Sequence, residues 1–298
     1  MAKLVECVPN FSEGRDKEII EKIVDEVRKT EGVKLLDYCS DKDHNRSVVT
    51  MIGGPQEVKE AAFKLIKRAS ELIDMSKHEG AHPRMGATDV VPFIPIKDIT
   101  TEECVELAKE LGKRVGEELN IPVYLYEDAA TAPERQNLAK IRKGQYEGFF
   151  EKIKQPEWKP DFGPNEMNEK SGATVIGARF PLIAYNVNLG TDNIEIANAI
   201  AKKIRHINGG LRYAKAVGVM LTERNIAQVS INLVQYEKTS IYTAQEMVKM
   251  EAKRYGVPVV GAEVIGLVPM KALIDCAEYY LQIENFDVNQ VLESRLSE

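Results

Sequence analysis

The feature that most limits what this chain can become is the order in which its apolar periods alternate, because that order occurs twice. Lys3–Val8 is a short apolar run ended by Pro9-Asn10, the signature of a strand running into a loop. Ile19, Ile20, Ile23, Val24 and Val27 then recur at helical spacing, and Gly32 fits as the terminator. Val33–Tyr38 and Arg46–Ile52, separated by polar SDKDHN, read as a hairpin. Gln56–Ile73 places Val58, Ala61, Ala62, Leu65, Ile66 and Ala69 on one helix face. VVPFIPI comes next as a strand whose prolines predict an edge position or a strand end. Thr101–Leu119 is a helix with an acidic first turn, and Val123–Tyr126 is a strand. Residues 127–170 are richer in charge, Pro and Asn, with one short helical stretch near Arg135–Ile141.

The second half repeats the order. Leu182–Leu189 is a strand, Asn193–Ile207 an amphipathic helix, and Val217–Leu221 with Ala227–Val234 a hairpin turned by TERN. Ala244–Tyr255 is a helix, Val257–Ile265 a strand and Met270–Ile283 a helix. Each half reads β-α-β-β-α-β-α, the split βαβ order of ferredoxin-like folds. The expected fold class is α+β, with two ferredoxin-like subdomains at 1–178 and 182–298 and helices on one face of each sheet. The break falls near Gly177–Pro181, and the uncovered faces or edges predict a ligand cleft between the subdomains. The halves share a topology without obvious likeness of sequence.

Composition narrows the class of function. The chain has 298 residues, 44% hydrophobic and 29% charged, as an ordinary globular protein does. A net charge of −6 disfavours a nucleic-acid partner, though a local basic patch can still take a small anion. No apolar run approaches a membrane span, and MAKLVECVPNF has neither the core nor the cleavage site of a secretory signal. Cys7, Cys39, Cys104 and Cys276 are scattered, which predicts reduced thiols and a cytoplasmic location.

Chemistry concentrates in MSKHEGAHPRMGATDVVPF, Met75–Phe93, a polar stretch without helical period that holds two of the four histidines. His78-Glu79-Gly80-Ala81-His82 matches HExxH, but Gly80 and Pro83 oppose the helix that motif needs, so no metal is expected. Two readings of His82 stand. It is a metal-free acid/base between Arg84, a candidate carboxylate clamp, and Asp89, a candidate orienting group, or it is a hydrogen-bonded loop residue without a catalytic role. His78, His44 and His206 read as structural. Asn10 and the pair Asn45-Arg46 are further candidates, since a buried Arg46 demands a carboxylate, from a ligand or from the protein. DFGPNEMNEKSGATVIGAR carries three glycines and suits close approach to a ligand. GxGxxG after the first strand, GxxxxGK[ST] and GxSxG are all missing, which leaves no signal for nucleotide cofactors or a serine nucleophile.

The residues carry more than the pattern does. LVECVPNFSEGR, LIDMSKHEGAHPRMGATDVVPFIPI, VYLYEDAA, PDFGP and PVVGAEVIGLVPMKAL resemble the glutamate formiminotransferase family, over about Lys3 to Phe286. The resemblance implies two α/β subdomains with a substrate tunnel between them. It implies transfer of the formimino group from N-formiminoglutamate to tetrahydrofolate, a step of histidine breakdown. His82, the histidine of the HPRMGA motif, takes the catalytic position. The folate-contacting stretch falls on Gly163–Gly172, with Gly163, Pro164 and Gly172 as contacts. Its middle, NEMNEK, departs from the animal form. Arg46 and Arg84 are candidates for substrate carboxylates, with Asn45 and Asp89 behind them. Tetrahydrofolate enters as co-substrate, without a metal. A homodimer is implied, and any cyclodeaminase, fused in animal members, is expected to be a separate protein. Rival donors are formiminoglycine, and 5-formyltetrahydrofolate with glutamate as acceptor. A folate-binding protein without turnover is the rival from another class.

Overall fold

The computed structural model describes residues 3–297, in two compact units: one ends at Arg179 and the other opens at Phe180.

The first unit begins with β1 (Leu4–Cys7) and β2 (Asn10–Phe11), then α1 (Lys17–Arg28), β3 (Val33–Asp41), β4 (Arg46–Gly53), α2 (Pro55–Leu72) and β5 (Thr88–Lys97). β1 lies between β4 and β5, and β3 pairs with the far side of β4, all antiparallel. Two helices joining three β segments in this order give the split βαβ arrangement the alternation predicts. β2 continues β1 beyond Pro9 and pairs with both β4 and β5. Val5, Cys7, Val49 and Met51 alternate into the helix-covered face, where they meet Ile23 and Val27 of α1 and Leu65 and Ala69 of α2, all fully buried. Asp16 starts α1 by accepting from the amides of Glu18 and Ile19.

The unit then continues beyond the ferredoxin-like core. α3 (Thr101–Leu119), opened by a Thr100/Glu103 capping box, crosses to β6 (Val123–Glu127). After α4 (Leu138–Ile141) and α5 (Gln145–Lys152), β7 (Thr174–Ala178) enters between β5 and β6, parallel to both. All five residues of β7 are buried. A continuous apolar run without alternation suits a parallel strand covered on both faces, and inside a glycine-rich stretch it reads as loop.

β5 corrects the expectation of an edge strand, for it lies between β1 and β7. The Pro92 carbonyl accepts from Val8, so its nitrogen faces the break between β1 and β2. The Phe93 carbonyl accepts from Arg179, and Pro95 faces the same side two residues on, past the end of β7. Each proline sits where the ladder needs no donor.

The second unit comprises β8 (Ile183–Leu189), α6 (Ile194–Ile204), β9 (Ala214–Leu221), β10 (Ile226–Leu233), α7 (Ile241–Lys253), β11 (Val259–Ile265) and α8 (Met270–Leu281). Its four strands are antiparallel in the order β11-β8-β10-β9, the ferredoxin-like order again. Its own core gathers Val187, Leu189, Val229 and Ile231 against Ile200, Ile204 and Val248. Asn193 and Ser240 cap α6 and α7; the latter starts α7 three residues ahead of the apolar period. No helix among the described residues is long and apolar enough to cross a membrane.

Candidate active site

Asp89, at the start of β5 and fully buried, is the anchor of the polar loops in the first unit. One carboxylate oxygen accepts from the Met85 amide at 3.0 Å and so folds the loop back on its own strand. The other takes Nη1 of Arg46 at 2.7 Å and Nη2 of Arg142. Burial pushes the Asp89 carboxyl up, but Arg142 and Arg46 outweigh it and hold it below its ordinary value. Arg46 leaves the first residue of β4 and completes its contacts on Asn10, whose Oδ1 accepts from Nε at 3.1 Å and Nη2 at 2.8 Å. The largely buried arginine does demand a carboxylate, and the protein supplies it.

His82 lies at the rim of this cluster. Its Nδ1 stands 2.7 Å from the Pro83 carbonyl oxygen and 3.2 Å from Arg46 Nη1. A neutral imidazole uses that nitrogen in one way at a time. Protonated, Nδ1 donates to Pro83 and leaves the Nε2 lone pair free; unprotonated, it accepts from Arg46 and Nε2 carries the proton. Burial first, then Arg46 and Arg142, pull the imidazole down to about 4, against the opposing effects of Asp89 and the Pro83 carbonyl. The ring is therefore neutral at pH 7.

The other predicted residues hold the loops in place. Asn45, 6% exposed and left-handed at φ 48°, accepts from the Gly14 amide and donates to the Glu79 carbonyl, both at 2.9 Å. It ties the β3–β4 turn to the loops on either side. His78 Nδ1 accepts from Arg84 Nε at 3.2 Å, which leaves its Nε2–H to donate to the Asn45 carbonyl at 3.0 Å. No helix forms from His78 to Ala87, so HEGAH does not present its imidazoles on one helical face. Among the described residues no group of three His, Cys, Asp or Glu side chains is placed to hold a metal ion. Arg84 is buried and forks onto Glu147 at 2.6 and 2.9 Å, with Gln145 at 3.0 Å and the His78 carbonyl at 3.0 Å completing its bonds.

The two ends of Gly163–Gly172 lie apart in role. Gly172 (φ +70°) bridges to Gly86, and a Cβ there would fall 2.2 Å from the Met85 carbonyl oxygen, so this end is stitched to the His82 loop. Gly163 (φ +83°) packs against Ile121 and Gly116 behind β6. Pro164 lines an open hollow of about 210 Å³ with Asn120, Glu166, Met167 and Asn168.

Arg142 is the site residue that no sequence signal marks. It comes directly after the four-residue helix α4, at the end of the one short helical stretch read in a charged segment, and its side chain reaches a carboxylate 53 positions away.

The fold and this cluster describe a two-unit α+β protein that keeps a neutral imidazole beside buried guanidinium groups. Family models agree on what such a chain is: residues 4–179 match the N-terminal subdomain of the formiminotransferase domain, and residues 184–295 match the formiminotransferase domain. The chain is 60% identical to a glutamate formimidoyltransferase of Streptococcus pyogenes over 99% of both chains. It is 53% identical to another of Thermoplasma acidophilum, over 98% of this chain and 97% of that one. It is also 48% identical to the formimidoyltransferase-cyclodeaminase of Mus musculus, covering 97% of this chain but 54% of that protein. The chain belongs to the formiminotransferase family and is an enzyme of the transferase class.

Proposed function

We propose that the enzyme transfers the formimino group of N-formiminoglutamate to N5 of tetrahydrofolate, giving 5-formiminotetrahydrofolate and glutamate in histidine breakdown. The observation that carries this reading is the neutral imidazole of His82, whose Nδ1 rests on the Pro83 carbonyl and leaves Nε2 free to take and give a proton. In the first step N5 attacks the amidinium carbon, and the tetrahedral adduct carries the N5 proton. His82, with its proton on Nδ1, takes that proton on Nε2. It then delivers a proton from Nε2 to the glutamate nitrogen, which leaves as the amine while the former imino nitrogen closes the new C=N bond. One proton moves from N5 to the leaving nitrogen, and the charge balances. Nδ1–H keeps its bond to the Pro83 carbonyl throughout, so the ring holds its orientation while Nε2 serves first as base and then as acid. Positioning of two substrates supplies much of the remaining acceleration.

Within this reading Asn45, Arg46, Arg84 and Asp89 frame the donor's site, since Arg46 and Arg84 already hold protein acceptors. Gly172 brings the folate segment to the His82 loop; Gly163 and Pro164 begin it. The names of the two full-length relatives support glutamate as the donor's amino acid. The setting is the cytoplasm, as a homodimer.

Steady-state turnover with formiminoglutamate against formiminoglycine, tetrahydrofolate as acceptor, tests the proposal. A kcat/KM at least tenfold higher for formiminoglutamate is expected. The reverse preference assigns a glycine donor, and no turnover with either leaves a folate-binding protein.

A further inference from the structure

A guanidinium offers five N–H groups, and the three arginines near His82 use them unequally. Arg84 directs its donors to His78, Gln145 and Glu147, and Arg46 directs its donors to Asn10, Asp89 and the His82 ring. Arg142 makes a single bond, from Nη2 to Asp89. Its Nε is fully buried without an acceptor, and Nη1 has none among the described residues. A buried donor without a partner is costly, and native structures rarely keep one without a reason. Charge gives a second argument. Arg46 and Arg142 face the single carboxylate of Asp89, so this trio carries an uncompensated positive charge in a site largely withdrawn from water.

The guanidinium is held in readiness. The Lys152 ammonium donates to the carbonyls of Lys140, Ile141 and Lys143, at 2.9, 2.6 and 3.1 Å, on both sides of Arg142. It also sits 3.8 Å from the centre of the Trp158 ring. The turn that presents Arg142 is therefore fixed by a side chain of α5, with no ligand needed to order it.

We propose that Arg142 receives a carboxylate of the formimino donor through Nε and Nη1, with Lys152 as its positioning residue. This assignment rests on the formimino-transfer reading. Asp89 links Arg142 to Arg46, which touches the His82 ring, so the anion binds close to the imidazole that serves the leaving nitrogen. In an N-formimino amino acid one carbon separates that nitrogen from the α-carboxylate. The tail carboxylates of a folate lie beyond an aminobenzoyl spacer from N5, too far to be held beside the reacting atoms.

The test uses the full chain with Arg142→Gln, Arg142→Lys and Lys152→Met. Arg142→Gln is expected to raise the donor KM at least 30-fold, with the tetrahydrofolate KM within twofold of wild type. Arg142→Lys keeps a cation on Asp89 but loses the planar fork, and its donor KM is expected to rise at least fivefold at unchanged melting temperature. Lys152→Met is expected to raise the donor KM several-fold while leaving the tetrahydrofolate KM alone. Calorimetric titration with L-glutamate, the product, reads the same site without turnover and is expected to weaken in parallel in both Arg142 variants. An unchanged donor KM in Arg142→Lys, or a rise confined to tetrahydrofolate, overturns the assignment. If Arg142→Gln does not fold, Arg142→Lys carries the test. Should the wild type turn over no formimino donor, the formimino-transfer reading fails by itself. The titration then still decides: glutamate binding weakened in Arg142→Lys upholds the carboxylate site, and equal or absent binding overturns it.

Discussion

At His82 the decisive quantity is the cost of a second proton on the ring. Burial, Arg46 and Arg142 set that cost high, while Asp89 and the Pro83 carbonyl offset part of it. His82→Ala removes the group assigned to carry a proton from N5 to the leaving nitrogen. It is expected to lower kcat by roughly 100-fold or more while tetrahydrofolate binding stays within a few-fold. Normal turnover with lost folate binding would sink the acid/base role. The same ring leaves a trace in stability. Its pKa falls from 6.5 to about 4 on folding, so between those values the unfolded chain binds a proton that the native chain refuses. The neutral ring's contribution is complete above about pH 6.5 and is lost as pH drops toward 4. Melting temperatures of wild type and His82→Gln, compared at pH 7 and pH 5, isolate the effect. The wild type is expected to lose more on acidification, and equal losses would contradict the assigned depression.

At the scale of elements, Asp89 joins β5 to β4 through Arg46 and to the end of α4 through Arg142. Asp89→Asn keeps the volume but leaves two guanidinium groups without their carboxylate. Urea unfolding is expected to show a loss of about 3–5 kcal/mol. A loss below about 1 kcal/mol would mean that the charges are solvated from outside the cluster. This connectivity also marks the limit of what is legible in the chain. α1, α2, α3 and α6 can be read because each carries an apolar stripe, a property of neighbouring residues alone. β5 misleads because whether a proline fits depends on which neighbour needs a donor: Pro92 faces the break between β1 and β2, and Pro95 faces past the end of β7. The His82 loop can be found by its density of polar groups. The partners of Arg46 and Arg142 cannot, for Asp89 lies 43 and 53 positions from them and no local pattern records the pairing. HEGAH shows the opposite case: a motif fully visible in sequence whose geometry its own Gly80 and the following Pro83 oppose. Turnover is accordingly expected to survive prolonged dialysis against EDTA. A loss restored by zinc would contradict a metal-free acid/base.

At the scale of the whole molecule, two units of the same strand order part company after the fourth strand of each motif. In the second unit the chain passes from β11 to α8. In the first it runs from β5 through α3, β6, α4 and α5 to β7, and this excursion brings Arg142, Glu147 and Gly172 to the His82 loop. The excursion therefore does more than widen a sheet: it closes the polar cluster that the ferredoxin-like core leaves open at Asp89. Ligand binding should then be felt by segments distant in sequence but joined at that carboxylate. Hydrogen exchange measured with and without saturating L-glutamate tests this. Slower exchange, by about threefold or more, is expected at 138–147 and 78–89 together, because the anion adds a bond to Arg142 and quiets the loop that Asp89 shares with it. Protection of 78–89 alone would leave the excursion outside the binding event. Protection confined to the second unit would move the carboxylate site away from Arg142 altogether, and the pairing of imidazole and guanidinium would then belong to the fold and not to the reaction.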